Sequence, residues 1–178
     1  MSADEIVKIM ESLPLFEAFT KSDCEKLAKM AMLRPFSKNE VVFKEGQTEG
    51  SLYIIVSGSI KITKSAETGE EILLAELDKG DFFGEMELLV PSKAGRTASA
   101  VAEENSTLLE ISKKDIENAL KDTELSAYRL IHFFAKVLCD RLRRMDDAYT
   151  KLFLEYKGRN KINELKRFRE KLIKEWGF

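Results

Sequence analysis

From Phe82 to Ala100 the chain reads Phe-Phe-Gly-Glu-Met-Glu-Leu-Leu-Val-Pro-Ser-Lys-Ala-Gly-Arg-Thr-Ala-Ser-Ala, a run of residue types suited to holding an anion. Gly84 lets a ligand come close to the backbone, and free N–H groups at the opening of a short apolar turn, Met86 to Val90, favour negative charge. Arg96 offers a planar, permanently charged fork that matches a phosphate, with the Thr97 hydroxyl beside it as a further donor. Glu85 is the odd member, because a carboxylate in an anion pocket repels unless it faces a part of the ligand that donates hydrogen bonds. A ribose hydroxyl is such a part, so the set points to a nucleotide rather than inorganic phosphate.

These groups need a rigid frame, and the surrounding sequence describes one. Seven of the nine glycines, at 46, 50, 58, 69, 80, 84 and 95, punctuate short β-branched and aromatic runs between Leu33 and Ser112. The runs predict strands over 31–36, 41–44, 52–57, 59–64, 71–77, 96–102 and 106–111, and strands this short and evenly spaced mean an antiparallel sandwich or barrel with room for a ligand cavity. Before them, residues 1–32 read as helical, broken at Pro14, and Ser22-Asp-Cys-Glu25 fits a capping box for the second helix. After them, Ser112 can cap a helix through Asp115 to Leu120, and Thr123 can start a long one running to about Tyr156. Along that helix Ile131, Ala135, Leu138, Leu142, Met145, Tyr149, Leu152 and Tyr156 recur at alternating steps of four and three, the seam of a coiled coil. A second stripe, Leu130, Phe133, Phe134 and Val137, is expected to pack on the β-rich region, so the helix has two apolar faces and two partners, its own domain and a second copy. Lys157-Gly158-Arg159-Asn160 breaks the pattern. The tail that follows is amphipathic and basic: from Lys157 onward eight basic residues face three acidic ones, a net +5 that leaves -7 on the rest. Its apolar stripe is expected to dock on the long helix or on the partner copy, ahead of contact with a membrane surface or nucleic acid.

Phe-Gly-Glu-Met, Leu-Leu, a short loop and Arg-Thr-Ala-Ser resemble the phosphate-binding cassette of cyclic nucleotide-binding domains, the family of catabolite activator proteins, cyclic-AMP-dependent kinase regulatory subunits and cyclic-nucleotide-gated channels. Leu-Pro-Leu-Phe-Glu-Ala-Phe, 13–19, is similar to the entry into such a domain. The resemblance implies that Glu85 takes the ribose 2′-hydroxyl, that Arg96 pairs with the cyclic phosphate, and that backbone N–H groups from Gly84 through Met86 to Leu88 complete the cradle. By the same analogy Met145 and Asp146 touch the purine from the same or the facing subunit. Glu87 stands where the family often has a small residue, and its side chain is expected to point outward, away from the phosphate.

The expected fold is therefore α+β: an antiparallel eight-stranded β-roll, jelly-roll-like, with N-terminal helices and a long C-terminal dimerisation helix. The expected organisation is 1–32 as a helical segment, 33–122 as the roll with a hinge helix, and 123–178 as the long helix and tail. The expected function is a cyclic AMP or cyclic GMP sensor that moves its C-terminal helix against an unknown downstream protein, with no cofactor and no metal. The competing class is a dimerisation scaffold whose roll has lost ligand affinity.

Composition narrows the rest. A net charge of -2 and 44% apolar residues describe an ordinary folded chain rather than a disordered or globally basic one. No apolar run approaches the roughly 20 residues of a membrane helix, and the acidic start lacks a signal-peptide pattern, so a cytoplasmic location is expected. Cys24 and Cys139 lack metal spacing and read as reduced thiols. His132 is the only histidine, so Ser-His-Asp and Cys-His catalysis have no visible support, and a haem or metal role for it ranks below a packed or surface position. The 22 residues from 157 onward are too few for a helix-turn-helix domain, so specific DNA recognition by that route is not expected.

Overall fold

The computed structural model describes residues 2–48, 50–66, 68–89 and 95–156. The chain divides into two compact units between His132 and Phe133. The basic tail and the loop 90–94 lie outside the described residues, as do the side chains of Leu152 and Tyr156 in the seam.

Helix α1 (Ala3–Glu11) starts at Ser2, whose hydroxyl accepts the Glu5 N–H while the Glu5 carboxylate takes the Ser2 N–H at 2.7 Å. Ile6, Val7 and Met10 form its buried stripe, spaced for one helical face. A single 3-10 turn, Pro14–Phe16, follows, with proline at the first position where its missing N–H costs nothing. Helix α2 (Lys21–Ala28) does carry a capping box, but not the predicted one. Thr20 is the cap and Asp23 the returning carboxylate, which takes the Thr20 N–H at 2.9 Å. The helix starts before Ser22 because Thr20 has extended backbone angles and its hydroxyl already reaches the Asp23 N–H at 3.2 Å.

Eight antiparallel strands build two four-stranded sheets, ordered β1-β8-β3-β6 and β2-β7-β4-β5. The strands are β1 (Ala31–Phe36), β2 (Val41–Phe43), β3 (Ser51–Ser57), β4 (Ile60–Ser65), β5 (Glu71–Leu77), β6 (Phe82–Phe83), β7 (Ser99–Ala102) and β8 (Ser106–Ser112). Pairing the first strand with the last and working inward is the signature of a rolled hairpin, the jelly-roll arrangement anticipated from strand spacing. The core between the sheets draws on both: Phe36, Tyr53, Ile55, Phe83 and Leu108 from one, Phe43, Ile60, Ala100 and Ala102 from the other. The seven predicted runs all become strands. The eighth, β6, has two residues, too short for any periodicity to announce it. The run from Arg96 enters the ladder only at Ser99, which leaves Arg96 to Ala98 outside regular pairing.

Beyond β8, Ser112 caps helix α4 (Lys113–Lys121) through the Asp115 N–H, as predicted. Its end is less ordinary. Thr123 N–H bonds to Leu120 O at 3.1 Å and Glu124 N–H to Ala119 O at 2.9 Å, a Schellman closure that places Thr123 at φ +56°. Thr123 thus ends α4 rather than starting the next helix, and α5 runs Leu125–Tyr156. A β-branched residue in this left-handed well is strained, where glycine is the usual occupant. Within the first unit, Ala127 and Leu130 are fully buried, and Arg129 pairs with the Asp23 carboxylate of α2. Farther along α5, Leu142 and Met145 of the predicted seam are exposed, at 45% and 68%.

Burial alone would push the Asp23 carboxyl up. The Thr20 hydroxyl and N–H, with Arg129, outweigh it and hold the group below the usual carboxylate range. The stabilisation is therefore present above the ordinary carboxylate pKa and is lost as pH falls through the lowered folded value. Asp23→Ala should cost about 1–2 kcal/mol in urea unfolding at pH 7. The gap between the variant and the parent should close as the pH drops below about 4. At the hinge, Thr123→Gly should raise the unfolding free energy by about 0.5–1 kcal/mol, because relief of the left-handed strain exceeds the added entropy of the unfolded chain. A lower midpoint for that variant would show that Thr123 is not strained.

Candidate ligand-binding site

Arg96 is the centre of the site, and three features position it. Its backbone is clamped to the 44–47 turn: Gly46 N–H donates to Arg96 O and Arg96 N–H to Gln47 O, both at 2.8 Å. Gly95 before it has φ +72°, and a Cβ there would sit 2.9 Å from Gly46 O, so only glycine allows this approach. The side chain then runs inward until it is 4% exposed. There the guanidinium carbon lies 3.9 Å from the centre of the Phe43 ring and 5.8 Å from that of Tyr53. Phe43, Tyr53 and Phe83 form one aromatic cluster, with Tyr53 and Phe83 stacked at 5.3 Å.

Two carbonyls receive the fork. Nη2 donates to Ser51 O at 3.0 Å, and Nη1 reaches Gly84 O at 3.5 Å. Arg96 Nε is fully buried and has no hydrogen-bond partner. Gly84 makes the convergence possible: it has φ +82°, and a Cβ on it would stand 2.5 Å from Ser51 O and 2.7 Å from Arg96 Nη1. Burial pulls the Arg96 pKa below its usual value, while Tyr53 and the carboxylates of Glu87, Glu110 and Glu85 favour the charged form. Tyr53 donates its hydroxyl to Glu110 at 3.1 Å, and burial first, then the Glu110 charge, pushes that phenol up.

Gly84 leads from β6 into a short helix, α3 (Met86–Leu89), where a short apolar turn over 86–90 was expected. Glu85 is 3% exposed, Leu88 half-buried and Met86 45% exposed. Thr97 is exposed; its hydroxyl lies 4.0 Å from the Met86 sulfur and its carbonyl accepts Lys64 Nζ at 3.1 Å. Gly84, Glu85, Met86, Leu88, Arg96 and Thr97 thus share one neighbourhood. Met145 and Asp146 belong to the second unit, where both are exposed.

Glu87 departs from expectation. Instead of pointing outward it is 2% exposed, and neither carboxylate oxygen has a hydrogen-bond partner. The four-residue helix turns Met86 and Leu89 to solvent and Glu87 inward, a choice of face that so short a segment does not encode in its periodicity. Its carbonyl accepts Lys113 Nζ, from the start of α4, at 2.6 Å, and Lys113 is itself buried. Gly50 makes room for this meeting, since a Cβ there would lie 3.3 Å from the Lys113 stem and 3.5 Å from Glu87 Cβ. Sequence reasoning also missed the Ser51 carbonyl, the Phe43 and Tyr53 rings, and Lys113. The aromatics were visible only as strand residues, and a lysine opening a helix reads as solvated.

Among the described residues, no cluster of His, Cys, Asp or Glu is placed to hold a metal ion, and no helix is long and apolar enough to cross a membrane. Cys24 is buried, which pushes its thiol up, and Cys139 is exposed. His132 is exposed.

Residues 33–123 match the family described as cyclic nucleotide-binding domain. The Cyclic AMP receptor protein of Thermus thermophilus is 30% identical over 153 residues, covering 86% of this chain and 68% of that protein. The cAMP-dependent protein kinase regulatory subunit of Mycosarcoma maydis is 34% identical over 95 residues, 53% of this chain and 18% of that one. The crystal structure of Thermus thermophilus catabolite activator protein superposes with a TM-score of 0.66 at 30% identity, over 78% of this chain and 62% of that one. The chain spans about two thirds of the bacterial proteins and under a fifth of the kinase subunit. On this match and on the eight-stranded roll that carries it, the chain belongs to the cyclic nucleotide-binding domain family.

Proposed function

We propose that the protein is a regulatory module that binds cyclic AMP or cyclic GMP without catalysing a reaction on it. One observation carries this reading: a guanidinium buried on an aromatic floor, still holding an unpartnered Nε donor beside a glycine-opened helical turn. In this reading Arg96 pairs with the cyclic phosphate and backbone N–H groups from Gly84 to Leu88 cradle it. Glu85 accepts from the ribose 2′-hydroxyl. Thr97, exposed next to Met86, is a secondary donor. Two relatives carry cyclic AMP in their names, which makes it the first ligand to try. No metal or cofactor is required, and the expected setting is the cytoplasm.

Occupancy acts through the strained turn at Leu120 to Thr123, so that one position of α5 is favoured over another and a downstream protein senses the difference. This requires only that ligand bind the two arrangements unequally. Two copies associate along the seam of α5, whose Leu142 and Met145 are exposed in the single chain. Met145 and Asp146 then approach the base from the same or the facing subunit. The reading assigns no specific DNA contact to the described residues.

Glu87 supports one other reading, a dimerising scaffold with little ligand affinity, since its buried carboxylate already acts on the Arg96 guanidinium that a phosphate would pair with. Isothermal titration calorimetry separates the two. The parent should release or absorb heat with at least one cyclic nucleotide, and Arg96→Ala should weaken binding by about 100-fold, the loss of a charge-assisted pair in a partly desolvated site. No heat with either nucleotide at high protein concentration leaves the scaffold. Sedimentation velocity at micromolar concentration should give a dimer, and Leu142→Asp should shift it toward monomer; a parent sedimenting as a monomer refutes the seam.

A further inference from the structure

Glu87 is a buried carboxylate whose two oxygens find no hydrogen-bond partner, an arrangement that folds seldom retain without a use. Its position is fixed. Lys113 Nζ holds its main-chain carbonyl at 2.6 Å, and its Cβ packs near Gly50, the residue before the Ser51 whose carbonyl anchors Arg96. Glu87 is therefore held beside the segment that anchors Arg96, and its charge acts on the guanidinium in favour of the charged form.

The charges gathered around this guanidinium are informative. Among the described residues, the formal charges next to this guanidinium are Lys113, positive, and Glu85, Glu87 and Glu110, negative, which with Arg96 itself sum to -1. Pairing with Arg96 offsets this excess for a ligand of one charge, whereas a second negative charge meets Glu87 in a poorly screened site. A cyclic nucleotide carries one charge at any pH between about 5 and 8. Its ring-opened hydrolysis product, a nucleoside 5′-monophosphate, has nearly the same size and base but gains a second charge above pH about 6. Shape distinguishes the two poorly; charge distinguishes them well.

We infer that Glu87 is a charge filter in the phosphate cradle, admitting singly charged cyclic phosphodiesters and disfavouring doubly charged phosphomonoesters. This rests on the nucleotide-binding reading above and adds a selectivity to it. Lys113 serves as the positioning residue that keeps the Glu87 backbone in place.

The test is calorimetry on the full chain with cyclic AMP and adenosine 5′-monophosphate at pH 5 and pH 8, for the parent and Glu87→Gln. In the parent, preference for the cyclic ligand should grow by roughly tenfold or more from pH 5 to pH 8, since one charge interaction at an effective dielectric near 20 is still worth about a factor of ten at about 12 Å. In Glu87→Gln that growth should disappear, mainly because the monophosphate binds better at pH 8. Should the glutamine variant fail to fold by circular dichroism, Glu87→Ser removes the same charge and should give the same flattening. A parent that binds cyclic AMP while the preference keeps its pH dependence in the variants overturns the filter and leaves the nucleotide reading intact. If the parent binds neither nucleotide but a variant binds both, Glu87 excludes singly charged ligands as well, which overturns the filter and shows that the parent is not a sensor. Binding by none of them overturns both ideas.

Discussion

A guanidinium removed from water has to be solvated by the protein, and nearly every unusual feature of the roll answers that demand at Arg96. Its charge meets aromatic faces on one side, carbonyl oxygens at the end of its fork, and carboxylates farther out. None of these alone offsets burial of an ion, since a charge in a protein interior costs several kcal/mol unless several groups share its field. Because the compensation is shared, the arginine is fixed in one orientation. One donor, Nε, is left over without a hydrogen-bond partner.

The backbone makes this geometry possible. Gly84 and Gly95 occupy left-handed conformations where a side chain would strike a carbonyl within 3 Å, so their absence of Cβ defines the approach of one segment to another. The strands supply the reference frame. β3 contributes Ser51 and Tyr53, β2 contributes Phe43 and β6 contributes Phe83, so both sheets meet beneath the arginine. A site assembled from both sheets is only as exact as their packing, which explains why small core residues such as Ala100 and Ala102 sit fully buried beside the large rings.

Much of this was legible in the sequence because the informative residues act locally. Gly84, Glu85, Arg96 and Thr97 suggest an anion site through residue type and spacing, and the fold brings them into one neighbourhood, while strand existence follows from turn glycines. What failed to show depends on facing and on distance along the chain. Glu87 was expected outward because a carboxylate repels phosphate, yet one helical turn has too few residues to reveal which side is buried, and Lys113 comes from 26 positions away. The α2 cap was misplaced by two residues because Thr20-Asp23 and Ser22-Glu25 both satisfy the same local rule, and only backbone angles choose between them. Thr123 looked like a helix start for a similar reason: hydroxyl residues cap helices by preference, and nothing in composition announces a threonine held left-handed.

That threonine lies between α4 and the start of α5. Lys113, the first residue of α4, is buried and bonded to the cassette helix α3, whereas the last turn of α4 ends in strain. The nine-residue helix is therefore held at one end and strained at the other, the geometry that the proposed coupling between α3 and Thr123 would use. A strained turn answers readily, because its alternatives lie only a kcal/mol or so away. The Asp23–Arg129 pair sets the opposing constraint, tying the first turns of α5 to α2. On the proposed reading, a bound phosphate would act on the balance between the α3–α4 contact and this ion pair, because both are anchored to the roll and the turn between them is strained.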